Sequence, residues 1–186
     1  MNLDSLAKEA DNYLKTLFPL TRSLTGDGNR ETLKVLKQIV PITVIEYPSG
    51  MEVYDWVIPS EWNIQDAWIK DESGKRLIDF NESNLHVVSY SEPVNQKMSF
   101  QVLREKLHCL EDMPDAIPYR TSYYKRDWGF CVSKHQFEML EKIPGEFEVV
   151  IDSNFDNNGS LTVGEFVLPG KSKHISKRFW PGFDHM

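Results

Sequence analysis

Residues 146–168 read EFEVVIDSNFDNNGSLTVGEFVL, and two architectures compete for them. In the first, FEVVI and SLTVGEFVL are strands, each a short run of β-branched and aromatic residues. Asn158-Gly159 joins them as the strongest two-residue hairpin turn. In the second, Asn154 to Glu165 is a calcium loop. Oxygen-bearing side chains stand at its first, third and fifth places, glycine at the sixth and glutamate at the twelfth. The second reading fails on its flanks. Asn154 in place of aspartate removes a charge, PGEFEVVI breaks where an entering helix is needed, and VLPG follows where the exit helix belongs. The expected element is therefore a hairpin with a polar tip.

Strands dominate on the N-terminal side as well. WNIQDAWIKD and RLIDF flank Ser73-Gly74 as a hairpin, and ITVIEYP and MEVYDWVI flank PSG as another. HVVSY is a further short strand. Four helices are expected. One runs over 3–17, where Leu3, Leu6, Ala7, Ala10, Leu14 and Leu17 form one stripe. A second covers 30–40, capped by Asp27 or Asn29, and a short one covers 99–110. The fourth covers 134–142, where Ser133 and Gln136 have capping-box spacing. Neighbouring strands pair, so the class is α+β: N-terminal helices, an antiparallel strand-rich middle with small helices, and a final β-hairpin.

The composition excludes several partners. A net charge of −7 over 186 residues opposes a nucleic-acid partner, which needs basic excess, and an anionic membrane surface. No apolar run spans a bilayer, and the first twenty residues lack the build of a secretory signal; the expected location is the cytoplasm. Cys109 and Cys131 show no CxxC spacing and are expected as free thiols. The five histidines make no zinc motif. There is no phosphate loop after a strand and no serine nucleophile elbow.

The chemistry gathers in residues 115–133, DAIPYRTSYYKRDWGFCVS. In a strand, Arg120, Ser122 and Tyr124 would share one face, with Tyr119, Thr121 and Tyr123 on the other. A guanidinium beside hydroxyls and a phenol suits a carboxylate. The rival reading is an edge strand whose arginine pairs with a neighbouring acid.

Four segments together resemble one bacterial family: FPLTRSLTGDGNRETL at 18–33, IEYPSGMEVYDWVIPSEWNI at 45–64, DAIPYRTSYYKRDWGFCVS at 115–133 and IDSNFDNNGSLTVGEFVLPG at 151–170. These are zinc aminopeptidase-like proteins that contain domains of unknown function and are often encoded among surface-polysaccharide genes. The resemblance implies an α/β peptidase domain interrupted near its start by a strand-rich insert and followed by a winged helix. On that frame 1–53 opens the peptidase-like domain, 54–147 is the insert, 148–170 returns to the peptidase sheet and 171–186 diverges. The implied reaction is removal of an N-terminal residue from a peptide. Arg120, Thr121, Ser122, Tyr123 and Tyr124, with Arg22, are the implied substrate-facing residues for a peptide or amino-acid ligand. No residue here matches a catalytic or zinc-ligand position of the family, and His174 and His185 stand elsewhere. The chain alone is expected to be inactive and to hold no cofactor, zinc belonging to the full-length family. The alternative is a stand-alone β-rich binding module for a peptide, amino acid or glycan, in which exposed Trp62, Trp68 and Trp128 would form a stacking platform.

The match frays between Lys171 and Ser176, where an apolar buried strand should follow. Instead the chain reads SKRFWPGFDHM, and Pro181-Gly182 cannot lie inside a central strand. Out-of-frame reading near codons 171–176 is the expectation. Genomic DNA shifted by one or two bases there should encode an apolar strand and then metal-ligand motifs; three frames without that continuation would refute it.

Overall fold

The computed structural model describes residues 3–170. The expected out-of-frame tail, with His174 and His185, lies outside the described residues. In chain order the helices are α1 (Leu3–Leu17), α2 (Asp27–Leu36), α3 (Phe100–Leu103) and α4 (Lys134–Lys142). The strands are β1 (Thr43–Pro48), β2 (Glu52–Val53), β3 (Trp56–Val57), β4 (Glu61–Lys70), β5 (Arg76–Asp79), β6 (Val94–Ser99), β7 (Leu107–His108), β8 (Phe130–Cys131), β9 (Glu146–Asp156) and β10 (Ser160–Glu165). The class is α+β. The chain divides into two compact units, one of Met1–Glu61 with Asp156 onward, the other of Trp62–Phe155. Both ends of the second unit fall eight residues later than the expected insert, at 62 rather than 54 and at 155 rather than 147. The physical reason is that β9 pairs with β6 inside the second unit's sheet, from Glu146 with Ser99 to Ile151 with Val94, and a boundary at 147 would split that pairing. Residues 54–61 meanwhile bond within the first unit, Ile58 N–H donating to Met51 O at 3.0 Å and Ser60 Oγ to Asn157 at 2.6 Å.

The second unit is built on a four-stranded sheet in the order β5-β4-β9-β6. The β4–β5 hairpin forms as expected. Its turn is closed by the Asp71 carboxylate, which accepts from Ser73 and Lys75 N–H at 2.9 and 3.1 Å, and Gly74 supplies a φ of 83°. β9 sits inside this sheet, with Phe147, Val149 and Ile151 buried. β6 is an element that the sequence does not announce. Only its Val94 and Met98 are buried, and apolar residues four apart resemble a helix as much as a strand. The expected helix over 99–110 is shorter: α3 passes through a 3-10 turn and straightens at Leu107, which pairs with Phe130 in a parallel β7–β8 contact. Its apolar register holds, since Phe100, Leu103 and Leu107 are all buried. HVVSY makes only single bridges, Val87 to Phe130 and Ser89 to Thr121, rather than a strand. The α4 capping box is complete: Ser133 Oγ accepts from Gln136 N–H at 3.1 Å, and Gln136 Oε1 accepts from Ser133 N–H at 2.8 Å.

The first unit corrects two expectations. The final hairpin is not one: the turn at Asp156–Gly159 exists, but β9 stays in the four-stranded sheet and β10 pairs antiparallel with β1. PSG likewise does not join paired strands, because β1 is occupied by β10 and the small β2–β3 ribbon closes on itself. Side chains decide the matter. Glu61 Oε2 accepts from Ser160 N–H at 2.9 Å, and the Glu46 carboxylate of β1 accepts from both Ser160 and Thr162 hydroxyls on β10. Gly164 lets α2 press close, since a Cβ there would lie 2.4 Å from Leu33. α2 begins earlier than expected: its N-cap is Gly26, with φ 101°, so Asp27 and Asn29 lie inside the first turn and neither is the cap. α1 forms as expected, yet none of its residues is buried, and Leu3, Leu6 and Leu14 are exposed.

Glu61 is 6% exposed and meets both Nη atoms of Arg30 at 2.6 Å. Glu61→Gln should remove the charge from this clasp and cost about 2 kcal/mol, the order of a hydrogen bond to a charged group. Urea unfolding should show the loss, with faster amide exchange across Ser160–Glu165.

Candidate functional site

The segment around Arg120 is not a strand. Thr121 makes one parallel bridge to Ser89. Ser89 N–H donates to Arg120 O, and Ser122 N–H donates to Ser89 O, both at 2.9 Å. A turn then closes, with Lys125 N–H on Ser122 O at 2.9 Å. The expected alternation of faces is therefore lost: Tyr123 and Tyr124 sit in the turn with ring centroids 3.7 Å apart. The Thr121 and Ser122 hydroxyls are turned to the chain, donating to Ser89 O at 3.4 and 3.3 Å, and Ser122 also lies 3.2 Å from Tyr90 O. These bonds tie the segment to the chain at Ser89 and Tyr90. Burial, then the Tyr124 hydroxyl, pushes the Tyr123 phenol up to about 12.

The anchor is Tyr90, buried with φ 67°, a left-handed conformation costly for a bulky residue. It is held by a stacked Trp62 ring at 5.8 Å and by Tyr123 and Phe155, each at 6.0 Å. Ser91 fixes the next residue, its carbonyl accepting from Trp62 Nε1 at 2.9 Å and Ser153 Oγ at 2.8 Å.

Arg120 itself bonds to a histidine, not to a neighbouring acid. Its Nη1 stands 2.7 Å from His108 Nδ1. A guanidinium only donates, so Nδ1 accepts and the ring is neutral. Burial chiefly, then the Arg120 charge, holds His108 below the usual histidine range; Lys106 acts in the same sense and Asp127 against it. Lys106 and Asp127 pair with each other at 2.5 Å. The Arg120 main-chain N–H bonds to Cys131, whose thiol burial pushes up to about 12. His108 is the residue that sequence reasoning misses. Its position suggests the surface at a helix end, whereas β7 pairs with β8 and sets it beside Arg120. The Leu107–Phe130 pairing of two apolar residues is the available signal.

Arg22 belongs to the first unit, where it lines a cavity of about 640 Å³ with Leu17, Leu33, Leu36, Trp56 and Val163. The tryptophan platform does not form. Trp62 is buried, the Trp68 ring is covered by Lys70 at 4.5 Å and Arg76 at 4.3 Å, and Trp128 packs against the core. Among the described residues no three His, Cys, Asp or Glu side chains gather as metal ligands. These residues do not fit a zinc site.

Residues 61–154 match the family described as a domain of unknown function, DUF2172. The chain belongs to the DUF2172 family. It is 42% identical over 170 residues to a Clostridium acetobutylicum protein named as a candidate polysaccharide biosynthesis protein with an aminopeptidase-like domain, covering 91% of this chain and 38% of that one. The crystal structure of a candidate peptidase from Clostridium acetobutylicum superposes with a TM-score of 0.83 at 43% identity, over 89% of this chain and 39% of that one. The chain thus spans about two fifths of the length of these relatives. The resemblance to aminopeptidase-like proteins holds, as a part-length match. No helix among the described residues is long and apolar enough to cross a membrane.

His86 shares the depressed state of His108, again chiefly through burial, with Nδ1 2.8 Å from Cys131 O. Both folded pKa values lie below 6.5, so the unfolded chain binds more protons below that value. The contribution to stability is complete above pH 6.5 and is lost as pH falls through the folded values. Proton NMR titration should place both ring midpoints below 6.5. The urea midpoint should drop between about pH 7.5 and pH 5.5, before carboxylates titrate. A His108 midpoint above 6.5 would contradict an Nδ1 that accepts from Arg120.

Proposed function

We propose that this chain supplies the ligand-facing part of an aminopeptidase-like hydrolase and does not cleave peptides by itself. One observation carries the reading: the exposed Arg120 guanidinium is set on a neutral ring, with its main chain tied to Ser89 and Cys131. A charge fixed in this way suits the orientation of a peptide or amino acid. The match to aminopeptidase-like and peptidase relatives supports the same direction. The longer protein would remove N-terminal residues in the cytoplasm, in the service of polysaccharide biosynthesis. Any zinc would be held by residues outside this sequence, and no step in this chain runs through it. A second reading, a stand-alone binding module, is favoured by the self-contained core of the second unit, from Ala67 through Phe130 to Ile151.

The experiment is a chimera in which this chain replaces the matching stretch of the Clostridium acetobutylicum relative. The chimera, supplied with zinc, should release p-nitroaniline from aminoacyl p-nitroanilides, and the chain alone should not. Arg120→Ala in the chimera should raise KM about tenfold, the order of one charge-assisted contact, with Tm nearly unchanged. Hydrolysis by the chain alone, or unchanged kinetics in the variant, would overturn the reading.

A further inference from the structure

Four cationic side chains of the second unit stand near one another in sequence or space, and three of them have acids. Lys106 meets Asp127 at 2.5 Å, Lys125 lies 3.9 Å from the same carboxylate, and Arg126 lies 3.9 Å from Glu92. Arg120 is the exception, because its side-chain partner is the His108 ring. A neutral acceptor leaves the whole positive charge in place, and one N–H used of five leaves a fork of donors. In a chain of net charge −7, acids are abundant, so an arginine matched to imidazole is not a product of scarcity.

We infer that Arg120 and His108 form a proton-linked receptor for a carboxylate, which the guanidinium binds while His108 takes up one proton. The exchange follows from donor counting. In the free pair His108 Nδ1 accepts from Arg120 Nη1. A carboxylate accepts only; one that settles on the Nη1 edge, beside the ring, draws on that same N–H and leaves Nδ1 without its donor. The vacated nitrogen is then a base beside an anion, and a proton placed there makes it a second donor. One carboxylate and one proton bind, and no covalent bond changes. The charged groups around the ring are Arg120 and Lys106, which oppose protonation, and Asp127, which favours it. The incoming anion offsets Arg120, the nearest opponent. The buried Cys131 thiol stays neutral and adds no charge. The inference rests on the reading that this unit faces a ligand, but it requires no hydrolysis.

The test is a titration of the whole chain, followed by amide and side-chain NMR, with three probes: N-acetylalanine, N-acetylalaninamide and glucuronate. N-acetylalanine should shift the Arg120 and His108 signals and bind more tightly at pH 5.5 than at pH 7.5, by up to about a hundredfold, the limit for one proton over two pH units. The amide should do neither. Glucuronate binding more tightly than N-acetylalanine would assign the carboxylate to a sugar acid; weaker binding would assign it to a peptide or amino acid. Arg120→Ala should abolish the response, and Arg120→Lys, which keeps the charge without the fork, should weaken it. His108→Gln should lose the pH dependence, which a merely structural histidine would not control. An equal response to acid and amide, or an unchanged response in a folded Arg120→Ala or Arg120→Lys variant, would overturn the receptor. Affinity independent of pH in the unaltered chain would overturn the proton link. Absence of hydrolysis by the chimera would leave every one of these readings intact.

Discussion

The Arg30 guanidinium holds the first unit together. It meets both oxygens of Glu61 at 2.6 Å, Asp27 at 3.1 Å, Glu46 at 3.2 Å and Ser160 Oγ at 3.0 Å. Glu61 stands where the chain leaves this unit, and Ser160 stands just after it returns. One side chain of α2 therefore gathers β1, the start of β4 and β10. Burial works against the charge, but the bonds to Glu61 exceed it and hold the guanidinium far above the usual arginine range. Without that cation three carboxylates would face one another, so the cluster is strongly unequal in what each member's loss would do. A unit made from two separated stretches of sequence needs such a clasp, because no local turn brings the stretches together.

The fold is legible wherever the signal is local. Ser133 and Gln136 sit three residues apart and bond as a capping box without help from elsewhere. Ser73-Gly74 closes a turn that its own Asp71 ties. Asn158-Gly159 is the instructive failure. The turn forms, but which strand β10 meets depends on Glu46 and Glu61, more than ninety residues earlier, and turn preference carries no such information. The start of α2 is hidden for a similar reason, since the backbone of Gly26 and not a side chain opens the helix.

The candidate site is half legible. Arg120 can be chosen from chemistry, because arginine among hydroxyls and phenols has few uses. His108 cannot, because its place beside Arg120 is made by a two-residue parallel pairing between β7 and β8 that no periodicity announces. The hydroxyls have a structural use that the sequence does not announce, since Thr121 and Ser122 donate to the Ser89 carbonyl. The tryptophans mislead in the same way. Their large faces are available to a sugar in the sequence, and in the structure Lys70 and Arg76 already cover Trp68.

α1 has an apolar stripe and no buried residue. A helix of fifteen residues is marginal in water by itself, and the Asp11–Lys15 pair adds only tenths of a kcal/mol. Its leucines remain hydrated in the chain as it stands. Whatever comes to cover them would release that water, and the event would carry a negative change in heat capacity. The encounter would therefore strengthen on warming from the cold, and a calorimeter run at several temperatures would register it even where its heat passes through zero.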